Sequence, residues 1–324
     1  MNPINQDEDS GSVKWLVLPR LEVRGMNAQP AWWNIAAPGP MPARGLAQHI
    51  AQTGFARGAL DLKGIALVWH HFELRGEHLR ARPGSSYQEF FPHQHRGAVL
   101  INGDDYAKGS KTLSGQPTVR GDGMVTLILA LDADAQTDLD DITATIDSGR
   151  FAGGSIVSHR FRASTAIHDK WASLRACVPT GFAFVDRSEL ITEAMDAGAK
   201  DPLDAFLACT QPQGKAGRQE PDKDFARPRS SWLTPYLAGY HTLTPAVERR
   251  MARDGHPHAF VEPLIGLGQL LSIRESGVIP FWDYASNDDG TYLIQEVTCI
   301  GGTKPAAKAY NPRAEASSTT KEAS

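Results

Sequence analysis

The sequence predicts an α+β domain in the order β-α-β-β-α-β, and three observations carry that expectation. Gly64 to Arg75 alternates, with Val68, His70, Phe72 and Leu74 at one parity and Leu67, Trp69, His71 and Glu73 at the other. Met124 to Asp132 is a near-continuous apolar run of strand length. Two helical stripes interrupt the strands, at Leu46/Ile50 and at Leu139/Ile142/Ile146.

Each element has a local cause. Trp15 to Val23 ends in alternation and reads as the first strand, with Pro19 at a bulge or sheet edge, because proline has no N–H for a ladder. Ala43 to Thr53 reads as the first helix, stopped by Gly54. Gly64–Arg75 and Met124–Asp132 are the central strands. Thr137 can cap the second helix and Gly149 ends it. Gly181 to Asp186 is a compact apolar run that completes the pattern. This order is the split-βαβ, ferredoxin-like arrangement used by RNA-recognition folds. About fifty residues separate the central strands, too many for a hairpin, so an insertion is expected at about 76–122.

The expected organisation is a disordered leader over 1–12 and a ferredoxin-like domain with its insertion over 13–208. A linker or long loop at 209–231, rich in Pro, Gly and charge, leads to a C-terminal extension at 232–300. A disordered tail covers 301–324. In the extension, Pro263 can open a helix with Leu264, Leu267 and Leu271 as its stripe. That stripe either packs on the chain's own core or forms a partner surface. Trp232, Tyr236 and Tyr240 are candidate interface anchors.

Composition bounds the function. The chain has 324 residues, 41% hydrophobic content and a formal net charge of -4, so any nucleic-acid surface must be a local patch. Cys177, Cys209 and Cys299 make neither a CxxC pair nor an even framework, which fits a reducing, cytoplasmic setting. No apolar run approaches a membrane span, and the first residues (Gln6-Asp7-Glu8-Asp9) are unlike a signal peptide.

Within these bounds the most informative stretch is Arg150-Phe151-Ala152-Gly153-Gly154-Ser155. Adjacent glycines let backbone N–H groups converge on a phosphate, and Arg150, Arg160 and Arg162 suit an anion. The alternative is a plain turn. The insertion holds Arg75, Arg80, Arg82, Arg96, Lys108 and Lys111, interleaved with Tyr87, Phe90, Phe91 and Tyr106. Cations for phosphates and rings for bases suit a single-strand binder; a solvated loop is the bland alternative. Arg20, Arg24 and Asn27 lie at or just after the first strand. His70-His71, His93-Gln94-His95 and His256-Pro257-His258 could supply acid–base chemistry or zinc ligands. Neighbouring strand residues face opposite ways, however, so His70 and His71 cannot share a site. No metal, cofactor or catalytic residue is expected.

Taken in order, several segments resemble the second Csy subunit of type I-F CRISPR surveillance complexes, in the repeat-associated RNA-binding superfamily of ferredoxin-like folds. They are Leu18-Pro19-Arg20-Leu21, Asn27-Ala28, Gly64-Ile65, Val68 to Glu73, Ala152 to Ile156 and Gly181 to Val185. Past the linker come Trp232 to Pro235, Ala238-Gly239-Tyr240, Phe260-Val261-Glu262 and Gly266-Leu267-Gly268. Where the family has an aromatic-Gly-Phe-Pro element, this chain has Trp32-Trp33-Asn34-Ile35, which marks a divergent branch. The resemblance implies a non-catalytic subunit that binds the CRISPR RNA 5′ handle and pairs with the large Csy subunit. Such a subunit abuts the backbone subunit, and the whole complex reaches target double-stranded DNA by guide pairing. The expected RNA contacts are Arg20, Arg24, Asn27, His70, Arg75, Arg80, Arg82, Arg96, Lys108, Lys111, Arg150, Gly153, Gly154, Ser155 and Arg160. The expected partner surface is Trp232, Tyr236, Tyr240, Leu264 and Leu267. The rival reading is a metal-independent endoribonuclease that processes CRISPR RNA on the same fold.

Overall fold

A computed structural model describes residues 13–30, 35–53, 62–80, 88–98, 115–132, 139–157, 166–210, 233–248, 257–286 and 290–297. The chain opens with strand β1 (Val13–Asn27), the short strands β2 (Gln29–Pro30) and β3 (Ile35–Ala36), and helix α1 (Pro40–Thr53). Strands β4 (Leu62–Leu74), β5 (Gly76–Arg80), β6 (Gln88–Pro92), β7 (Gln94–Ala98) and β8 (Gly115–Asp132) follow. Next come α2 (Leu139–Asp147), β9 (Arg150–Phe151), β10 (Gly154–Ile156), β11 (Ala166–His168), α3 (Trp171–Cys177), β12 (Phe182–Asp186), α4 (Ser188–Asp196) and α5 (Pro202–Thr210). The last elements are β13 (Leu233–Thr242), β14 (Val247–Glu248), β15 (Pro257–His258), β16 (Val261–Ser272), α6 (Ile273–Ser276), β17 (Phe281–Ser286) and β18 (Thr291–Val297).

Most strands join one antiparallel sheet, and the sheet has two unlike halves. The open half runs β4-β8-β1, with β10 and β11 pairing along the far edge of β1 and β9 outermost. β10 takes Val23 and Arg24, while β11 takes Trp15 to Val17. Pro19 lies between these two pairings, at a register break that spans Leu18 to Leu21. Its missing N–H therefore leaves no gap in either ladder. Helices α1 and α2 cover this half, burying Leu46, Ile50, Ile142 and Ile146 against Leu16, Leu18, Leu127 and Leu129.

The other half closes on itself. β12 pairs both β4 and β16, and the path β4-β17-β18-β13-β16-β12 returns to β4. Phe184, Tyr236 and Trp282 fill the ring: Tyr236 meets Phe184 and Trp282 edge-on at 5.2 and 5.7 Å, and Phe184 lies tilted to Trp282 at 6.0 Å. The Trp282 indole N–H donates to the Phe184 carbonyl at 3.2 Å.

Two expectations need correction. Residues 263–271 form part of strand β16, not a helix. Their leucine spacing is compatible with a helix, but Gly266 and Gly268 weaken one by about 1 kcal/mol each. In the strand, those glycines make room for rings. A Cβ on Gly266 would lie 2.6 Å from Tyr236, and one on Gly268 would collide with the edge of the Phe184 ring at Cζ and Cε1. The strand at 182–186 exists, but it belongs to the closed ring and does not pair with β1. The chain places β10 and β11 beside β1 first.

Bulges also reset the parity of β4. A register shift between Trp69 and His71 leaves His70 as the extra residue. Phe72 therefore packs on the same core as Trp69, at 5.8 Å, rather than with Val68. Residues 115–122, expected in the insertion, extend β8, and Leu74 pairs with Gly121. Within the insertion, β5 pairs β6, and β7 pairs the start of β8.

Candidate nucleic-acid interface

The candidate site is built on a bulge in β1. Between Val23 and Met26 the β1–β8 register slips, and Gly25 takes a left-handed conformation (φ +67°). Side chains of β8 hold both of its peptide groups. The Gly25 N–H donates to Asp122 Oδ1 at 2.7 Å, and Arg120 Nη1 donates to the Gly25 carbonyl at 2.6 Å. Arg75 closes on Asp122 with Nε 3.0 and 2.9 Å from the two carboxylate oxygens and Nη2 at 2.8 Å from Oδ1. Desolvation works to raise the Asp122 carboxyl. The Arg75 and Gly25 hydrogen bonds, with the Arg24 charge nearby, hold it below the usual carboxylate range.

The bulge presents Arg24 outward, where it forms an exposed pair with Glu22 at 3.1 Å. Register then aligns three polar residues across three strands: Arg24 on β1 faces Ser155 on β10, which faces Arg150 on β9. Ser155 and Arg150 are exposed, and Arg150 has no acidic partner among the described residues. Asn27 sits at the end of the bulge. Its N–H donates to the Ala152 carbonyl at 2.8 Å, and its side-chain Oδ1 is buried without a partner. Its amide lies close to where a Cβ on Gly153 would go, with Arg120 beyond.

The glycine pair has a clear structural role. Ala152 (φ +47°) and Gly153 (φ +77°) form the two-residue turn joining β9 to β10, with Phe151 paired to Gly154. Gly154 is buried, and a Cβ there would lie 2.6 Å from the Met26 nitrogen. The turn reading of Ala-Gly-Gly-Ser is thus the one its geometry accounts for, while Ser155 and Arg150 carry the exposed chemistry.

A second network surrounds His70. Its Nδ1 lies 2.8 Å from the Thr180 carbonyl, which can only accept, so Nδ1 carries the proton. Nε2 then accepts from the Thr126 hydroxyl at 2.7 Å, and Thr126 Oγ1 accepts from the Arg20 N–H at 3.0 Å. Arg20 has φ +52°, an uncommon conformation for a side-chain-bearing residue, and its side chain is exposed. Burial lowers the His70 pKa; the Thr180 bond opposes this and the Arg20 charge adds to it. Both ring nitrogens are occupied structurally. His71 is exposed, 3.7 Å from Glu73, and among the described residues no His, Cys, Asp and Glu gather as a metal site. A cleft of about 390 Å³ opens beside this network, lined by Trp69, His71, Phe72, Phe182, Leu233 and Leu270 among others.

The expected residues therefore divide. Arg24, Asn27, Arg75, Arg150, Gly153, Gly154 and Ser155 gather around the β1 bulge, and Arg20 with His70 occupies the neighbouring network. Arg80 and Arg96 lie on β5 and β7, opposite Gln88 and Pro117. Arg82, Lys108, Lys111, Arg160 and Trp232 lie outside the described residues. On the expected partner surface, Tyr236 and Leu267 are 3% and 1% exposed, and their area is spent inside the chain. Tyr240 and Leu264 are half-buried. Arg120 and Asp122 are absent from the residues expected from sequence, because they fall in the stretch expected as the insertion; only the pairing of Leu74 with Gly121, a long-range contact, shows that they belong to β8.

Among the described residues no helix is long and apolar enough to cross a membrane. A family model described as "CRISPR-associated protein (Cas_Csy2)" matches residues 16–294, nearly the whole described fold. The chain is 28% identical over 331 positions to CRISPR-associated protein Csy2 of Pseudomonas aeruginosa strain UCBPP-PA14, covering 86% of this chain and 93% of that protein. The bulge, its arginines and all of the closed ring but the last three residues of β18 fall within the matched span, and the chain belongs to the Csy2 family of subunits of the type I-F CRISPR (Csy, Cascade-type) antiviral complex.

Proposed function

We propose that this chain binds the 5′ handle of the CRISPR RNA through the arginine-bearing end of the open half, and pairs with the large Csy subunit. The observation that carries the reading is the lateral row Arg24–Ser155–Arg150, flanked by Asn27 and Arg120, with Arg20 four residues earlier on β1. Cations and a hydroxyl spread over three adjacent strands suit successive phosphates of a single strand. Phe182, 43% exposed at the rim of the neighbouring cleft, offers a ring for an unstacked base. The order β10/β11-β1-β8-β4, with α1 and α2 packed on it, supports reading the open half as ferredoxin-like, its fourth strand divided between β10 and β11.

The occupied His70 supports a binding role over RNA cleavage, since neither ring nitrogen is free to move a substrate proton. Contacts to the backbone subunit, and to target DNA through the assembled complex, belong to the same reading. Exposed apolar residues on the closed half, among them Val261, Ile265 and Tyr292, suit a protein partner better than a polyanion.

Purified chain incubated with CRISPR repeat RNA, with and without EDTA, tests the reading. The expected result is retention of the RNA without shortened products in either arm. Metal-independent cleavage supports the endoribonuclease instead, and cleavage abolished by EDTA overturns both. Co-expression with the other Csy subunits should yield a stoichiometric heterodimer with the large one.

A further inference from the structure

We propose that Asp122 occupies a phosphate site in the free chain, standing in for the anion that RNA brings, and that it gives way to an RNA phosphate on binding. The inference rests on the RNA-binding reading above and deepens it at one position.

The Asp122 carboxylate is held as an oxyanion would be. One oxygen accepts the N–H of a left-handed glycine at a bulge, and both oxygens accept the Arg75 guanidinium. A backbone N–H at a left-handed turn beside an arginine fork is a recurrent phosphate-binding arrangement. The surroundings favour an anion as well. Arg24 acts on Asp122 electrostatically, and Arg120 lies on the other side of the Gly25 peptide.

Asp122 is nevertheless a poorly secured occupant. Its side chain and that of Arg75 are each 41% exposed, where an ion pair is weak and screened by salt. Glu73 is its direct cross-strand neighbour, so a like charge stands beside it. The Gly25 carbonyl is held separately by Arg120. Releasing the carboxylate therefore frees Gly25 N–H and Arg75 without dissolving the whole bulge. An intramolecular carboxylate at this position would suppress binding of stray polyanions and be displaced by a strand that also engages Arg24, Ser155 and Arg150.

The test uses the full-length chain, a fluorescent decauridylate, and inorganic phosphate as a separate ligand. Asp122→Asn keeps an acceptor for the Gly25 N–H but removes the charge that occupies Arg75. The expected result is RNA binding tightened about three- to tenfold at low salt, with the log–log salt slope steeper by ~0.7 for one more phosphate engaged. Adding Arg75→Gln should erase the gain. In the wild-type chain, the Gly25 amide and Arg75 Nε–H resonances should shift on RNA addition, a readout that needs no variant. Wild-type binding with unshifted resonances, or an unchanged affinity and slope in a folded Asp122→Asn chain, overturns the displacement and leaves the RNA reading standing. If neither form binds RNA, both fall. If inorganic phosphate moves the two resonances and RNA does not, the site belongs to a free anion and the proposal is overturned.

Discussion

The open and closed halves of the sheet use the same antiparallel ladder for opposite ends. In the closed half, every strand of the ring finds a neighbour on both sides, and its interior is filled by Phe184, Tyr236 and Trp282 with space yielded by Gly266 and Gly268. In the open half, two bulges in β1 with positive φ at Arg20 and Gly25, a bulge in β4 at His70 and the positive-φ turn at Ala152–Gly153 interrupt the ladder regularity. Closure removes strand edges and puts ring contacts where they stabilise. Bulges spend ladder regularity to aim Arg24 and His70. If the open half binds RNA as proposed, stability and recognition are separated in space, and substitutions in the two halves should separate in the same way.

The largest effect is expected in the ring. Trp282→Ala removes a fully buried indole that touches both other rings, so it should cost about 3–5 kcal/mol in a denaturant titration. Gly268→Ala drives a methyl against the edge of the Phe184 ring, and about 1–3 kcal/mol is expected from overpacking. A Gly268→Ala chain as stable as wild type would mean that the ring is looser than its geometry implies.

The same contrast explains what could be read from the sequence. α1, α2, β4 and β8 were legible because each is set by a local period: Leu46 and Ile50 one turn apart, or an apolar run from Met124. The ring was not. It depends on pairings such as Phe182 with Trp69 and Leu233 with Gln269, between residues that no local window contains. Its glycine strand imitated a helix because Leu264, Leu267 and Leu271 match the helical period; rings donated from β12 and β13 decide otherwise. The site was half legible. Arg24, Asn27, Arg75 and Arg150 announce themselves as cations or amides near strands, whereas Arg120 and Asp122 acquire meaning only through the β1–β8 register.

A smaller effect should come from the β9–β10 turn, and it breaks the clean division between halves. Gly154→Val drives a side chain into the Met26 backbone, so stability should fall by about 1–3 kcal/mol alongside any change in RNA affinity. Loss of affinity with unchanged melting would revive the phosphate cradle at the glycines.

His70 gives a milder effect with a definite sign. Burial lowers its pKa in the folded chain, so the unfolded chain binds the proton more readily. Its contribution is therefore fully present above the ordinary histidine value, about 6.5, and declines as pH falls from there toward the lowered folded value. Melting temperature should drop on acidification through this window. His70→Gln should flatten that part of the profile, and an identical profile in the variant would assign the drop to other groups.

The smallest effect on stability is expected where the effect on recognition is greatest. Arg24 is 63% exposed in its side chain and holds only an exposed carboxylate, and Arg150 is exposed at the sheet edge. Replacing both by Ala should move stability by no more than about 0.5 kcal/mol, as for ordinary surface positions. If each contacts one phosphate, the same double variant should flatten the log–log salt dependence of single-stranded RNA binding by ~1.4, at ~0.7 per contact. Ser155→Ala, which removes a hydroxyl but no charge, should weaken binding while leaving the slope in place. A double-arginine variant that keeps the wild-type slope would remove the lateral row from the RNA path, leaving the open half with bulges whose exposed cations have another purpose.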